Sequence, residues 1–163
     1  MNKTVTVGQT AKFTVKASGT APLSYQWRKN SLDIAGANGT SYTTPPAVAD
    51  DDGSLFSVVV TNSAGSAQSD PKTLTVSTPP SITIQPANKT VTLGKTAKFT
   101  VTASGTKVLH YQWRKNGADI LGATKSSYTT PPTTVLDNGA VFSVTVSNLA
   151  GSATSDDATL TVQ

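Results

Sequence analysis

Apolar and polar residues alternate along most of this chain, in short bursts closed by glycine, proline or aspartate. Thr4-Val5-Thr6-Val7-Gly8 and Thr90-Val91-Thr92-Leu93-Gly94 alternate and stop at glycine, the pattern of short strands closing on a turn. Ala11, Phe13, Val15 and Ala17, and later Ala97, Phe99, Val101 and Ala103, alternate with Lys and Thr, which predicts a half-buried strand in each place. Ser18-Gly19-Thr20 and Ser104-Gly105-Thr106 break these strands. On the next strand Leu23, Tyr25 and Trp27 share one face and Gln26 and Arg28 the other. Asp33-Ile34 and Asp119-Ile120 suit a brief edge strand. Ser41-Tyr42-Thr43-Thr44 begins as a strand, but Pro45-Pro46 removes two ladder donors and puts the pair at an edge or corner; residues 127–132 repeat the arrangement. Asp51-Asp52-Gly53 and Asp137-Asn138-Gly139 turn into Phe56, Val58 and Val60, and into Phe142, Val144 and Val146. Asn62-Ser63-Ala64-Gly65 and Asn148-Leu149-Ala150-Gly151 predict the following hairpins, and Leu74-Thr75-Val76 and Leu160-Thr161-Val162 the last strands.

Every one of these stretches occurs twice. Tyr25-Gln26-Trp27-Arg28-Lys29-Asn30 returns unchanged as residues 111–116, and sliding the chain by 86 aligns 2–77 with 88–163 with 50 of 76 positions identical. A fixed period of this kind marks one structural unit written twice. The expected domains are 1–77, a short, stiff Pro-Pro linker at 78–81, and 82–163. Repeat 2 is preceded by the alternating stretch Ile82-Thr83-Ile84-Gln85-Pro86-Ala87, whereas repeat 1 has only Met1 before Asn2. The expectation is that Met1 is an added start, that unit 1 lacks its first strand, and that the chain is a monomeric piece of a longer array.

Composition narrows the class. Apolar residues make up 36% and charged residues 13% of 163, with no Glu, so all nine acids are Asp. Thr and Val favour strands, and little is left to build helices, which gives an all-β fold. The net charge of +4 comes from bases scattered singly rather than in runs, which argues against nucleic acid. Cysteine is absent, excluding disulfides and thiolate metal sites. No apolar run approaches ~18 residues, so no membrane insertion is expected.

Seven or so short strands per unit, a lone Trp on the third and Asp-x-Gly before the sixth resemble the immunoglobulin fold, a Greek-key antiparallel β-sandwich. The resemblance places Val15 and Val58, and Val101 and Val144, where that family carries its bridging cysteines. It places Phe56 and Phe142 where the tyrosine corner has its Tyr. The Tyr-Gln-Trp-Arg-Lys-Asn, Tyr-Thr-Thr-Pro-Pro and Phe-Ser-Val-x-Val-x-Asn-x-Ala-Gly strings are similar to the Cys-free repeats of bacterial secreted and surface proteins. The resemblance implies two tandem sandwiches in which apolar packing replaces the disulfide, which would otherwise supply about 2–4 kcal/mol.

Candidate chemistry is sparse. His110, the only histidine, has no nucleophile motif beside it and reads as an exposed strand residue. Asp50-Asp51-Asp52 read as turn residues rather than a glycosidase acid pair or a Ca²⁺ site, since only Asp51 has a counterpart, Asp137. Lys12 and Lys98 fall on the polar phase of their strand, which argues against a crosslink to an acid. Trp27 and Trp113 read as core. Tyr25, Tyr42, Tyr111 and Tyr128 are the candidates for a sugar-stacking face, with core packing the favoured reading. Asn2, Asn38 and Asn88 fit short glycosylation sequons in a Thr-rich chain. No catalytic, metal or cofactor residue is assigned, and no cofactor is expected; the ligand-binding residues are left open. The reading is a non-enzymatic, extracellular structural or adhesive spacer whose partner is a polysaccharide or another surface protein. The alternatives are a carbohydrate-binding accessory module and a virion surface decoration.

Overall fold

The computed structural model describes all 163 residues, Met1–Gln163, and divides into two compact units, Met1–Ser77 and Thr78–Gln163. Unit 1 contains β1 (Lys3–Thr6), β2 (Lys12–Thr14), β3 (Ser24–Lys29), β4 (Leu32–Asp33), β5 (Ser41–Thr43), β6 (Leu55–Asn62), β7 (Gly65–Gln68) and β8 (Lys72–Ser77). One sheet runs β1-β8-β6-β3-β4 with β7 also on β6, and β2 pairs with β5 in the opposing layer. All pairings are antiparallel except the edge pair β1–β8, which runs parallel with Lys3 opposite Leu74.

Unit 2 repeats this plan with β10 (Lys89–Val91), β11 (Lys98–Thr100), β13 (His110–Lys115), β14 (Ala118–Asp119), β15 (Ser127–Thr129), β16 (Val141–Asn148), β17 (Gly151–Thr154) and β18 (Ala158–Val162). It adds β9 (Ser81–Ile84), which pairs antiparallel with β12 (Thr102–Ser104). Residues 15–18 of unit 1 form no strand. The run predicted to bury Ala11, Phe13, Val15 and Ala17 therefore ends early. Ala11 and Phe13 are buried, Val15 is half-buried and Ala17 is exposed. In unit 2, Val101 is only 5% exposed.

Each core is aromatic. In unit 1 the Phe13 and Phe56 rings stack with centroids 4.7 Å apart, and the Trp27 ring lies 6.4 Å from Phe13 and 6.3 Å from Tyr42. Unit 2 matches this with Phe99–Phe142 at 4.6 Å and Trp113–Tyr128 at 6.4 Å. Val58 and Val144, at the expected cysteine positions of β6 and β16, are fully buried. Offset aromatic pairs add to their area burial, so packing occupies the place a disulfide would take.

The edge hairpin falls one residue earlier than Asp33-Ile34 predicts, and its turn explains why. Asn30 and Ser31 have φ of 50° and 70°, and Asn116 and Gly117 have φ of 50° and 80°, as a type I′ two-residue turn demands. The Asn30 backbone N–H donates to Leu55 O at 2.8 Å and its Oδ1 accepts the Leu55 N–H at 2.8 Å, tying the turn to β6.

Two outcomes follow from these cores and turns. Ser31 holds a left-handed conformation that costs an L-residue roughly 1–2 kcal/mol. Ser31→Gly should therefore stabilise unit 1 by about 0.5–1 kcal/mol after glycine's entropy is set against it, and an unchanged or lower denaturation midpoint would contradict this. Trp113→Ala should remove about 3–5 kcal/mol and unfold unit 2 at ordinary temperature; a cooperative unit 2 melt within a few degrees of the parent would contradict that.

Candidate functional site

The repeated hexapeptide is unchanged between the units, and each of its side chains has a structural duty. Tyr25 packs partly buried against the core. Gln26 Nε2 donates to Trp27 O at 2.9 Å and to Ile34 O at 2.8 Å, closing the loop beside β3. Trp27 Nε1 donates to Gly39 O at 2.9 Å. Arg28 Nε reaches Asp33 Oδ1 at 2.6 Å across the hairpin. Lys29 pairs with Asp51, and Asn30 shapes the turn. Unit 2 reproduces each contact, with Lys115 Nζ 2.5 Å from Asp137 Oδ1.

The Asp triplet is divided among separate tasks. Asp51 Oδ2 accepts the Val48 N–H at 2.9 Å, closing a single 3-10 turn at Ala49–Asp51. Asp52 Oδ1 accepts the Val76 N–H at 2.8 Å, and Asn138 Oδ1 does the same for Val162 at 3.0 Å. An amide oxygen thus replaces the carboxylate without loss of the contact, as expected of turn chemistry. Asp50 is exposed. The Lys29 ammonium and the Val48 N–H hold the Asp51 carboxyl below its ordinary range. Asp137 is held lower, at about 2, first by Lys115, then by the Thr134 N–H and by the Thr134 hydroxyl at 2.9 Å.

The other sequence candidates are dispersed. His110 is exposed on β13, opposite Ser147. Lys12 and Lys98 are exposed, and Trp27 and Trp113 are 3% and 0% exposed. Asn2 and Asn88 are exposed and accept the Thr73 and Thr159 N–H groups through Oδ1 at 3.1 and 2.8 Å. Asn38 is exposed in the loop beside Trp27. Tyr42 and Tyr128 are half-buried, stacking on Phe56 and Phe142 with centroids 6.0 and 5.8 Å apart.

The structure does bring one set together that sequence reasoning missed. Tyr42, Pro45, Lys29 and Asp51 rim a small hollow of 180 Å³ floored by Phe56 and Leu74. Unit 2 has its equivalent of 190 Å³ among Tyr128, Pro131, Lys115 and Asp137. The Lys–Asp separation of 22 residues recurs in both repeats, and that repetition was the available signal. An aromatic ring, an ion pair and a proline edge could receive one polar ring-sized group, and the Lys and Asp of each hollow are paired with each other.

An immunoglobulin domain family model matches residues 79–160. Endoglucanase C of Cellulomonas fimi is 34% identical over 173 aligned residues, covering 100% of this chain and 16% of that protein. Hemicentin-1 of Mus musculus is 33% identical, over 93% of this chain and 3% of its own length. Among solved structures, an I-band fragment of titin superposes with a TM-score of 0.81 at 21% identity, over 99% of this chain and 62% of that one. The chain thus spans a small part of the curated relatives it matches.

Because Asp137 has its folded value below the ordinary carboxylate value, its contribution to stability is complete above about pH 4. It is lost as the pH falls towards 2. In Asp137→Asn the unit 2 midpoint should change less between pH 5 and pH 2 than in the parent, read by urea denaturation; parallel pH profiles would show that the pair carries no such linkage.

Proposed function

The chain belongs to the immunoglobulin domain family, and from that premise we propose that it is a non-catalytic, extracellular structural or adhesive module, a spacer or stalk within a larger protein. The observation that carries this reading is the use of the repeated hexapeptide. Its glutamine, tryptophan, arginine, lysine and asparagine are all spent on holding β3 or β13 to its neighbours. Residues that would serve chemistry elsewhere are committed to the scaffold. The small share of each relative's length that the chain covers supports a role as one part of a multidomain protein.

A second reading has its own support. Similarity along the whole chain to part of an endoglucanase, together with the repeated tyrosine hollow, favours an accessory module that contacts polysaccharide through Tyr42 and Tyr128. Exposed aromatic faces are the usual platform for a sugar ring.

Retention of the two-unit protein on insoluble and soluble polysaccharides, with and without Ca²⁺, separates the two. The spacer reading expects no specific retention across the panel. Specific retention that disappears in Tyr42→Ala/Tyr128→Ala, with circular dichroism unchanged, would replace it with the accessory-module reading.

A further inference from the structure

Asparagine followed by glycine occurs three times in the chain, at Asn38-Gly39, Asn116-Gly117 and Asn138-Gly139. Glycine carries no Cβ, so the amide nitrogen after such an asparagine is unhindered and can attack the side-chain amide carbon. The attack needs a near-attack geometry, in which the side chain is free to turn back on its own chain. Two of the three asparagines are denied it. Asn138 Oδ1 accepts the Val162 N–H at 3.0 Å, and the Gly139 N–H that would attack donates to Leu160 O at 2.8 Å. Asn116 is clamped to β16 at two points, its Oδ1 accepting the Val141 N–H at 2.9 Å and its own N–H donating to Val141 O at 2.8 Å.

Asn38-Gly39 is held differently. Both residues are exposed. The Asn38 N–H donates to Gly36 O at 3.1 Å, but neither its side chain nor the Gly39 N–H is tied to the rest of the protein by a hydrogen bond. Gly39 O, by contrast, accepts from Trp27 Nε1 at 2.9 Å, and Ala37 O accepts the Trp27 backbone N–H at 3.0 Å. The two residues that hold the buried tryptophan thus flank Asn38. Unit 2 makes the same contacts through Lys125 O and Ala123 O with Thr124 between them, so its loop has no such pair.

We propose that Asn38 is a site of spontaneous modification: it deamidates through a succinimide and rearranges to isoaspartate, which loosens the tryptophan anchor of unit 1 alone. The Gly39 nitrogen gives up its proton and bonds to the Asn38 side-chain carbonyl carbon; the bond from that carbon to Nδ2 breaks, and ammonia leaves. Water then opens the five-membered ring. Attack at the side-chain carbonyl returns an ordinary chain with aspartate. Attack at the main-chain carbonyl breaks the original peptide bond and leaves the chain running through the side chain, with a free carboxylate beside it. One water enters, one ammonia leaves, and nothing is oxidised or reduced. The β-linked product lengthens the backbone by one carbon between Ala37 O and Gly39 O, so both cannot keep their places on Trp27. A buried indole N–H left without an acceptor destabilises the core. This inference is independent of the spacer reading.

The test incubates the whole two-unit protein in mildly alkaline buffer, where the attacking nitrogen loses its proton more readily. The protein is followed by peptide mapping with isoaspartate detection and by nuclear magnetic resonance of the two indole N–H groups. The expected result is a mass gain from exchange of NH for O that appears first in the 38–39 peptide, with the pairs at 116 and 138 at least about tenfold slower. Isoaspartate should outnumber aspartate there. In the aged protein the Trp27 indole N–H should exchange with solvent at least about tenfold faster, while that of Trp113 is unchanged. Gly39→Ala keeps the carbonyl that binds Trp27, and its Cβ would meet Ser41 O at 3.4 Å, an ordinary contact. It should slow the reaction by about tenfold or more. Asn38→Thr, which installs the unit 2 residue, should abolish the reaction and leave both indoles alike before and after incubation. Mass gain first at 116 or 138, or no gain at 38 once a free peptide of the 36–41 sequence has reacted to completion, would overturn the proposal. So would an unchanged Trp27 exchange rate in protein that carries the isoaspartate.

Discussion

An indole buried between two sheets must fill a large volume and satisfy one N–H, and in each unit those two demands fix the surrounding chain. Trp27 Nε1 donates to Gly39 O, while the Trp27 backbone donates to Ala37 O at 3.0 Å and accepts from Ile34 at 2.9 Å. The loop after β4 is thus bound to β3 on three sides, and it leads directly into β5. Around the ring stand Phe13 from the opposing sheet and Tyr42 from the strand that the loop delivers. With no cysteine to cross-link the layers, this aromatic contact joins them, and a buried Trp whose N–H lacked a partner would itself destabilise the core.

The two units differ at 26 of 76 aligned positions, and many of these differences preserve the one atom that matters. The indole acceptor is Gly39 O in one unit and Lys125 O in the other; both are backbone atoms, so the side chain is free to change. Asp52 and Asn138 share an Oδ1 that receives the last strand. Val48 and Thr134 share the N–H that Asp51 and Asp137 cap, and Thr134 adds a hydroxyl, which is why Asp137 is the more strongly held of the two carboxylates. Identity persists where a side chain does the binding, as in Gln26, Arg28, Lys29 and Asn30. The hexapeptide is invariant between repeats for architectural reasons.

The all-β class, the succession of strands along the chain and the core tryptophans were legible because period-two alternation and an 86-residue repeat are strong signals; the parallel pairing of β1 with β8 and of β10 with β18 was not. The resemblance also located Val58 and Phe56 correctly inside the core. Three other things were not legible. The edge hairpin was displaced by one residue in both units because its register is set by the left-handed two-residue turns at Asn30-Ser31 and Asn116-Gly117, not by the apolar pattern. The burial of Val15 and Ala17 was overestimated because alternation shows which face turns inward but not whether another strand covers it. The tyrosine hollow was missed because its Lys–Asp pair spans 22 residues, a separation that no local pattern reports.

Unit 2 pairs β9 with its Thr102–Ser104 edge, and residues 15–18 of unit 1 form no strand. In unit 2 the Ile82 side chain packs on the core, the Pro79–Pro80 backbone passes against Gly105, and Val101 and Val146 are 5% and 0% exposed. In unit 1 the same valine positions are only half-covered, and the backbone of Lys16–Ser18 has no strand partner. Exposed edges of this kind are usually blunted by charge, proline or a bulge. Lys16 is the one charge on this edge, and unit 2 carries Thr102 at that position, where its carbonyl accepts from Thr83. Glycine at 19 and asparagine at 62 have no such protective value. Asn62 works inside its own unit: its Nδ2 donates to Thr20 O at 2.9 Å and its Oδ1 accepts the Ala64 N–H at 2.9 Å, whereas Asn148 makes the same two contacts, to Thr106 O and the Ala150 N–H, and reaches Thr78 O at 2.8 Å as well.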